Sequence, residues 1–144
     1  MLEKPIATTV EEADSLIEMA EKKNLMFQVG HLERYNSAIV AIEGVLNNPM
    51  FIESHRLSFF TERATDVDVV LDLMIHDLDI ILSIVNSDID IIDAVGVPVI
   101  SPKIDIANAR ITFVNGCVAN ITASRVSDKT MRKIRIFQPD AYVS

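Results

Sequence analysis

Residues 66 to 86, DVDVVLDLMIHDLDIILSIVN, set polar side chains into a run of Val, Leu, Ile and Met at spacings of three and four. At 100° per residue, Asp68, Asp72, His76, Asp79, Ser83 and Asn86 share one narrow stripe of a helix. A helix apolar over most of its circumference is normally buried. Buried carboxylates cost several kcal/mol, of the order set by unpaired charge in a low dielectric, unless they are paired or face a wet cavity. The stripe is therefore expected to line a cleft.

The pattern elsewhere alternates helical and extended signals. Residues 1 to 7 read as a strand end running into a turn at Pro5, which biases Lys4 to an extended conformation. Thr9 and Glu12 have capping-box spacing ahead of a helix with Val10, Ala13, Leu16, Ile17 and Ala20 on one face, ending near Lys22 to Asn24. A short buried strand, Leu25 to Val29, stops at Gly30. Ser37 is expected to cap a second helix running through Leu46 to the breaker Asn47-Asn48-Pro49. A strand from Phe51 to Phe60 and a loop then lead into the apolar helix. From Asp90 the period changes to two. Strands are expected at Asp90 to Val97, Ala107 to Val114, Cys117 to Val126 and Arg132 to Gln138, with Asn115-Gly116 as the tight hairpin turn and Pro139-Asp140 turning into Ala141 to Val143. These elements predict an α/β (α+β) chain: helix and buried strand first, then an open, largely antiparallel sheet packed on two helices.

At 144 residues the chain is long enough to bury a real core, and 49% hydrophobic with 24% charged residues is typical of a folded globule. A formal net charge of −8 argues against a nucleic-acid partner. The basic cluster of Lys129, Arg132, Lys133 and Arg135 reads as a solvated strand edge. Three scattered histidines and the lone Cys117 make no metal-ligand pattern and no internal disulfide. With no signal peptide and no run of membrane-spanning length, the expectation is a cytoplasmic protein with no membrane partner. The four glycines, Gly30, Gly44, Gly96 and Gly116, are too far apart for G-x-G-x-x-G.

Asp72 and His76 stand one turn apart, so the carboxylate could orient the imidazole as a general base needs. Taken alone, the run also fits an acidic first turn, Asp66 and Asp68, complementing the helix dipole, followed by a satisfied core histidine. The segment His31 to Asn36 (HLERYN) follows a strand's carboxyl end, where open α/β sheets place ligands.

Glu3-Lys4-Pro5, then Gly30-His31-Leu32-Glu33-Arg34-Tyr35-Asn36, then Asp72-x-x-x-His76 together resemble the glucose–fructose oxidoreductase / inositol dehydrogenase family of NAD(P)-dependent sugar oxidoreductases. The resemblance implies catalytic roles for Lys4, Asp72 and His76, with NAD or NADP approached by Glu3, Lys4 and Pro5. It implies a sugar or nucleotide sugar, the small-molecule partner, held by His31, Glu33, Arg34, Tyr35, Asn36 and Asp79. Homo-oligomerisation through the open sheet is a further implication. The wording of HLERYN and TDVDVVLDLMIHDLD is most similar to members that oxidise the 3-position of UDP-N-acetylglucosamine, although Val69 and Val70 stand where the family often has a Gly-Gly pair.

The family pattern also implies a domain division: residues 1–30 as the last part of a Rossmann domain, and 31–144 as an α/β substrate and oligomerisation domain. Such a chain is expected to be a fragment, truncated at both ends, that does not hold cofactor tightly by itself. The competing expectation is a catalytically silent binding or oligomerisation module whose sheet pairs with another chain.

Overall fold

The computed structural model describes residues 1–61 and 66–144. The loop expected before the apolar helix lies largely outside the described residues. The chain forms two compact units, Met1–Leu32 and Glu33–Ser144.

In the first unit, α1 (Val10–Lys22) begins as its sequence predicts. The Thr9 side chain accepts from the Glu12 N–H at 3.2 Å, but the Glu12 carboxylate accepts from the N–H and hydroxyl of Thr8 instead of Thr9, at 3.2 and 2.9 Å. These bonds hold the Glu12 carboxyl below its ordinary range. Asn24 leaves the helix in the left-handed region, φ 49°, a conformation asparagine tolerates better than most residues. The expected strand Leu25 to Val29 reduces to a single parallel bridge, Leu2 to Val29, and Met26 is 94% exposed. Leu25 and Met26 lie exposed and only Val29 is partly covered, so the apolar run does not become a buried strand. The Lys4–Pro5 peptide is cis.

The second unit is built on one six-stranded sheet. Its strands are β1 (Phe51–Leu57), β2 (Ile89–Val97), β3 (Ile106–Phe113), β4 (Val118–Ser124), β5 (Met131–Gln138) and β6 (Ala141–Val143). Their spatial order is β2-β3-β4-β1-β5-β6. Only the β1–β4 pairing is parallel, because the helical segment between β1 and β2 carries the chain across the sheet. Gly116 takes the positive φ (+87°) that the β3–β4 turn requires, and Asn115 Oδ1 accepts from the Cys117 N–H at 3.0 Å.

One sheet face carries Ile52, Ala109, Ile111, Phe113, Ala119, Ile121, Ala123 and Ile136, all buried. The apolar helix packs on this face. It starts as a π turn (Val70–Met74) and continues as α3 (Ile75–Ile84). Alanines at 107, 109, 119 and 123 let it approach closely, and Val69, Met74, Ile81 and Val85 complete the core. The helix is shorter than its pattern, which ran to Asn86.

The other helix, α2 (Ser37–Ile42), ends four residues before Leu46, and Asn36 caps it instead of Ser37, accepting from the Ala38 N–H at 3.0 Å. None of its residues is buried. A cavity of about 280 Å³, lined by Ile39, Ile42, Ile80, Ile134 and Ile136, lies beside it, and Ile42 packs on the edge of the core. The sheet thus carries both expected helices, with most of the buried contact made by the π turn and α3. Strand β1 ends three residues before Phe60.

Edge strand β2 is exposed along its whole length despite its Ile and Val content, so equal hydrophobicity should carry unequal energetic weight along this sheet. Phe113→Ala, at a site 1% exposed, is expected to cost about 3–5 kcal/mol, whereas Ile91→Ala, at 52% exposure, should stay within about 0.5 kcal/mol. Urea unfolding of the two variants checks this, and equal losses would mean β2 is covered in solution.

Candidate active site

The start of the apolar helix is fixed from the sheet side by a buried polar knot. Asp105 is fully buried. Its Oδ2 accepts the N–H groups of Val99, Ile100 and Ser101 at 2.8, 2.7 and 2.9 Å. Its Oδ1 accepts the Ser101 hydroxyl at 2.7 Å and Arg125 Nε at 2.8 Å. Burial pushes against ionisation, but the Ser101 and Val99 amides, the Ser101 hydroxyl and Arg125 outweigh it and hold the Asp105 carboxyl well below the usual range. Arg125 Nη1 donates to the Val67 carbonyl at 2.8 Å. Next to it, Asp68 Oδ1 accepts the Ile104 N–H at 2.9 Å, and the Val69 N–H reaches the Ile104 carbonyl at 2.9 Å.

This anchoring revises the stripe. Asp68 precedes the helix and is spent on Ile104. The π turn between 70 and 74 winds more widely than an α-helix, so side chains there advance by less than 100° per residue. Ser83 donates to its own helix, at the Ile80 carbonyl (2.7 Å), and Asn86 lies past the helix end. Asp72 in the π turn and His76 in the first turn of α3 remain, both half-buried. Short π segments inside helices recur at functional sites.

Arg34 and Asp79, each expected at the substrate, form a bidentate pair: Nε to Oδ2 at 2.7 Å and Nη2 to Oδ1 at 2.6 Å. The Asp79 hydrogen bonds raise the Arg34 pKa further above its ordinary value. Both residues before and after Arg34 are also placed. Glu33 Oε1 lies 3.4 Å from Arg132 Nη1 and 3.7 Å from Arg56 Nη1, and Tyr35 is 72% exposed. The Asn36 side chain is committed to capping α2.

Glu3, Lys4, Pro5 and His31 belong to the other unit. There the Leu2 N–H donates to the Gln28 carbonyl (2.9 Å) and the Gly30 N–H to the Leu2 carbonyl (2.7 Å), bringing two strand ends together. A Cβ on Gly30 would come 3.3 Å from Glu3 Oε2 and 3.4 Å from the Leu2 carbonyl. Glycine therefore lets the chain pass close to Glu3.

Sequence reasoning missed Asp77 and Arg56. Asp77, beside His76, is 2% exposed, and Arg56 grips it with Nε at 3.1 Å and Nη2 at 2.8 Å. A signal existed: Arg56 follows Ile52 and Ser54 on the buried parity of β1, and an arginine there requires a carboxylate partner. Among the described residues, no group of three or more His, Cys, Asp or Glu could hold a metal ion. Burial pushes the Cys117 thiol up, away from the reactive thiolate. No described helix is long and apolar enough to cross a membrane.

A sequence profile of the GFO/IDH/MocA C-terminal domain matches residues 37–141, and one of the oxidoreductase family, NAD-binding Rossmann fold, matches residues 1–31. The chain belongs to the GFO/IDH/MocA family. It is 41% identical over 145 residues to UDP-N-acetylglucosamine 3-dehydrogenase of Acidithiobacillus ferrooxidans, across 100% of this chain and 46% of that protein. A solved structure of that enzyme superposes with a TM-score of 0.90 at 41% identity, covering 99% of this chain and 47% of the other. The apo scyllo-inositol dehydrogenase of Lactobacillus casei shares the fold, at TM-score 0.80 and 21% identity over 98% of this chain and 47% of the other. The chain spans about half the length of these relatives.

The polar knot makes acid stability diagnostic. Because the folded pKa of Asp105 is depressed, its stabilisation is fully present above the unfolded value, about 3.9, and is lost as pH falls below it. Thermal melts between about pH 6 and 2 should show Tm falling steeply below pH 4. Asp105→Asn should start lower and fall less, and parallel curves would show that the carboxylate contributes nothing.

Proposed function

We propose that the protein containing this chain is an NAD(P)-dependent dehydrogenase acting on a secondary hydroxyl of a nucleotide sugar, with UDP-N-acetylglucosamine as substrate. The observation that carries the reading is the 41% identity to UDP-N-acetylglucosamine 3-dehydrogenase. That match runs the length of this chain.

The residues present suit the nicotinamide end of a dinucleotide. The Leu2–Val29 bridge sets two strand ends side by side at Glu3 and Gly30, the kind of crevice in which open α/β sheets take ligands. Bound there, NAD(P) would supply the hydride acceptor, held by Glu3, Lys4 and Pro5. With no G-x-G-x-x-G in its sequence, this chain offers no phosphate cradle of that type. We infer that it holds cofactor weakly by itself.

The remaining chemistry is proton handling. Oxidising a secondary alcohol requires the hydroxyl proton to leave as hydride departs from the same carbon. A neutral His76 imidazole takes that proton near pH 7, and Asp72, one turn earlier, orients the ring and stabilises the imidazolium that forms. The Lys4 ammonium stabilises the negative charge developing on the oxygen. His31, Glu33, Tyr35 and Asn36 bound the sugar nucleotide, and Arg34 with Asp79 braces the turn that carries Glu33, Tyr35 and Asn36. We assign the reaction to the cytoplasm.

The open sheet supports self-association. Its outer face carries Phe51, Phe137 and Tyr142 in one aromatic row, with ring centroids 6.1 and 5.0 Å apart. At the opposite edge of the sheet lies the exposed apolar strand β2, a surface that water does not favour. That edge also supports the second reading, a silent pairing module.

In a full-length protein carrying this segment, His76→Ala should lower kcat by roughly 10²–10⁴-fold, the range for losing a general base, with KM little changed. Turnover within twofold of the parent would remove His76 as the base. In the 144-residue chain, isothermal titration should show weak or undetectable NAD(H) binding, and UDP-N-acetylglucosamine binding that His76→Ala leaves nearly unchanged. Tight NAD(H) binding would overturn the inference of weak cofactor affinity.

A further inference from the structure

His76 sits between two carboxylates of α3 that are each gripped by an arginine fork. Asp77 and Asp79 are two residues apart, hence about 200° apart around a helix. His76 occupies the remaining arc of about 160°, roughly 60° from Asp79 on one side and 100° from Asp77 on the other. Arg56, from the central strand β1, holds Asp77 at 3.1 and 2.8 Å. Arg34, from the turn before α2, holds Asp79 at 2.7 and 2.6 Å. Glu33, the residue beside Arg34, lies 3.7 Å from Arg56, so the turn that carries Arg34 also meets Arg56.

The apolar packing of α3, through Ile80 and Ile81, is non-directional and tolerates small rotations about the helix axis. Planar guanidinium forks do not, because two parallel N–H bonds fix both distance and angle. Any roll of α3 that relaxes one fork strains the other, since they act from opposite sides. Buried ion pairs are poor stabilisers compared with apolar residues of the same volume, and their best-attested use is to fix one arrangement among several of similar packing energy. Asp77 and Arg56, with side chains 3% and 6% exposed, are such a pair.

We propose that Arg34 and Arg56 are positioning residues that together set the roll angle of α3 and thereby the direction of the His76 imidazole. Neither need touch the reacting atoms. The value of that direction to catalysis rests on the reading of His76 as the base, but the lock itself does not.

Arg34 is the residue to test, because its side chain is 48% exposed and its replacement leaves the core intact. Arg34→Lys keeps the charge and removes the fork. In the isotope-labelled 144-residue chain, without substrate or cofactor, the His76 ring signals, assigned with His76→Gln, should shift and lose their NOEs to neighbouring side chains. The amide signals of Ile121 and Ile136 should stay in place. Exchanging the partners, Arg34→Asp with Asp79→Arg, should return much of the parental ring signature. Ring shifts and NOEs unchanged in Arg34→Lys would overturn the proposal, as would amide changes spread through the sheet.

In a full-length protein, Arg34→Lys should lower kcat by about tenfold to a hundredfold, the cost of a small misplacement of a catalytic group, with KM within twofold. If the ring moves but His76→Ala spares turnover, the lock stands and the base assignment falls. If His76→Ala abolishes turnover while Arg34→Lys leaves ring and kcat alone, the base stands and the lock falls.

Discussion

The pairing of Asp77 with Arg56 is the constraint on which the second unit turns. A helix this apolar must be buried, and burying it on the sheet carries Asp77 below the surface. A lone carboxylate there would cost several kcal/mol, so the sheet must offer a cation at one place. Arg56 on the central strand is that cation. The pair fixes where α3 lies along β1 as well as which face it shows. Alanines at 107, 109, 119 and 123 then set how closely it approaches.

The same logic operates at the other end of the run. Asp105 is buried with five hydrogen bonds, one of them from Arg125, and Arg125 passes the constraint to the Val67 carbonyl. The helix is thus held at its start by the β2–β3 connection and β4, and in its middle by β1. Asp72 lies between the two anchors, in the π turn. A wider turn at that point is understandable where the helix must satisfy fixed partners on both sides, because one extra residue adjusts the phase without breaking either.

Function and stability draw on one set of charges. The segment Glu33 to Asn36, read as part of a substrate crevice, is also tied into the structure: Glu33 to two arginines, Arg34 to Asp79, Asn36 to the first turn of α2. A binding residue so braced is pre-organised, and little ordering entropy remains to be lost when ligand arrives.

Much of the architecture was legible in the residues. Period-two alternation and Asn115-Gly116 located the β3–β4 hairpin, and Thr9 with Glu12 located α1 because a cap is a local interaction. The Asp72-x-x-x-His76 spacing and the HLERYN turn gave the family. What the chain alone could not show depends on distant neighbours. Leu25 to Val29 has the composition of a buried strand but makes only one bridge, since a strand needs cover that composition cannot guarantee. Asp77 was hidden because its importance lies in Arg56, 21 residues away, and Arg34 and Asp79 were each visible but their union was not. Sequence by itself determined the elements, their periods and the candidate base, all set by interactions within a few residues. Tertiary structure decided which carboxylates were spent on arginines, because burial and partnership are properties of the assembled core.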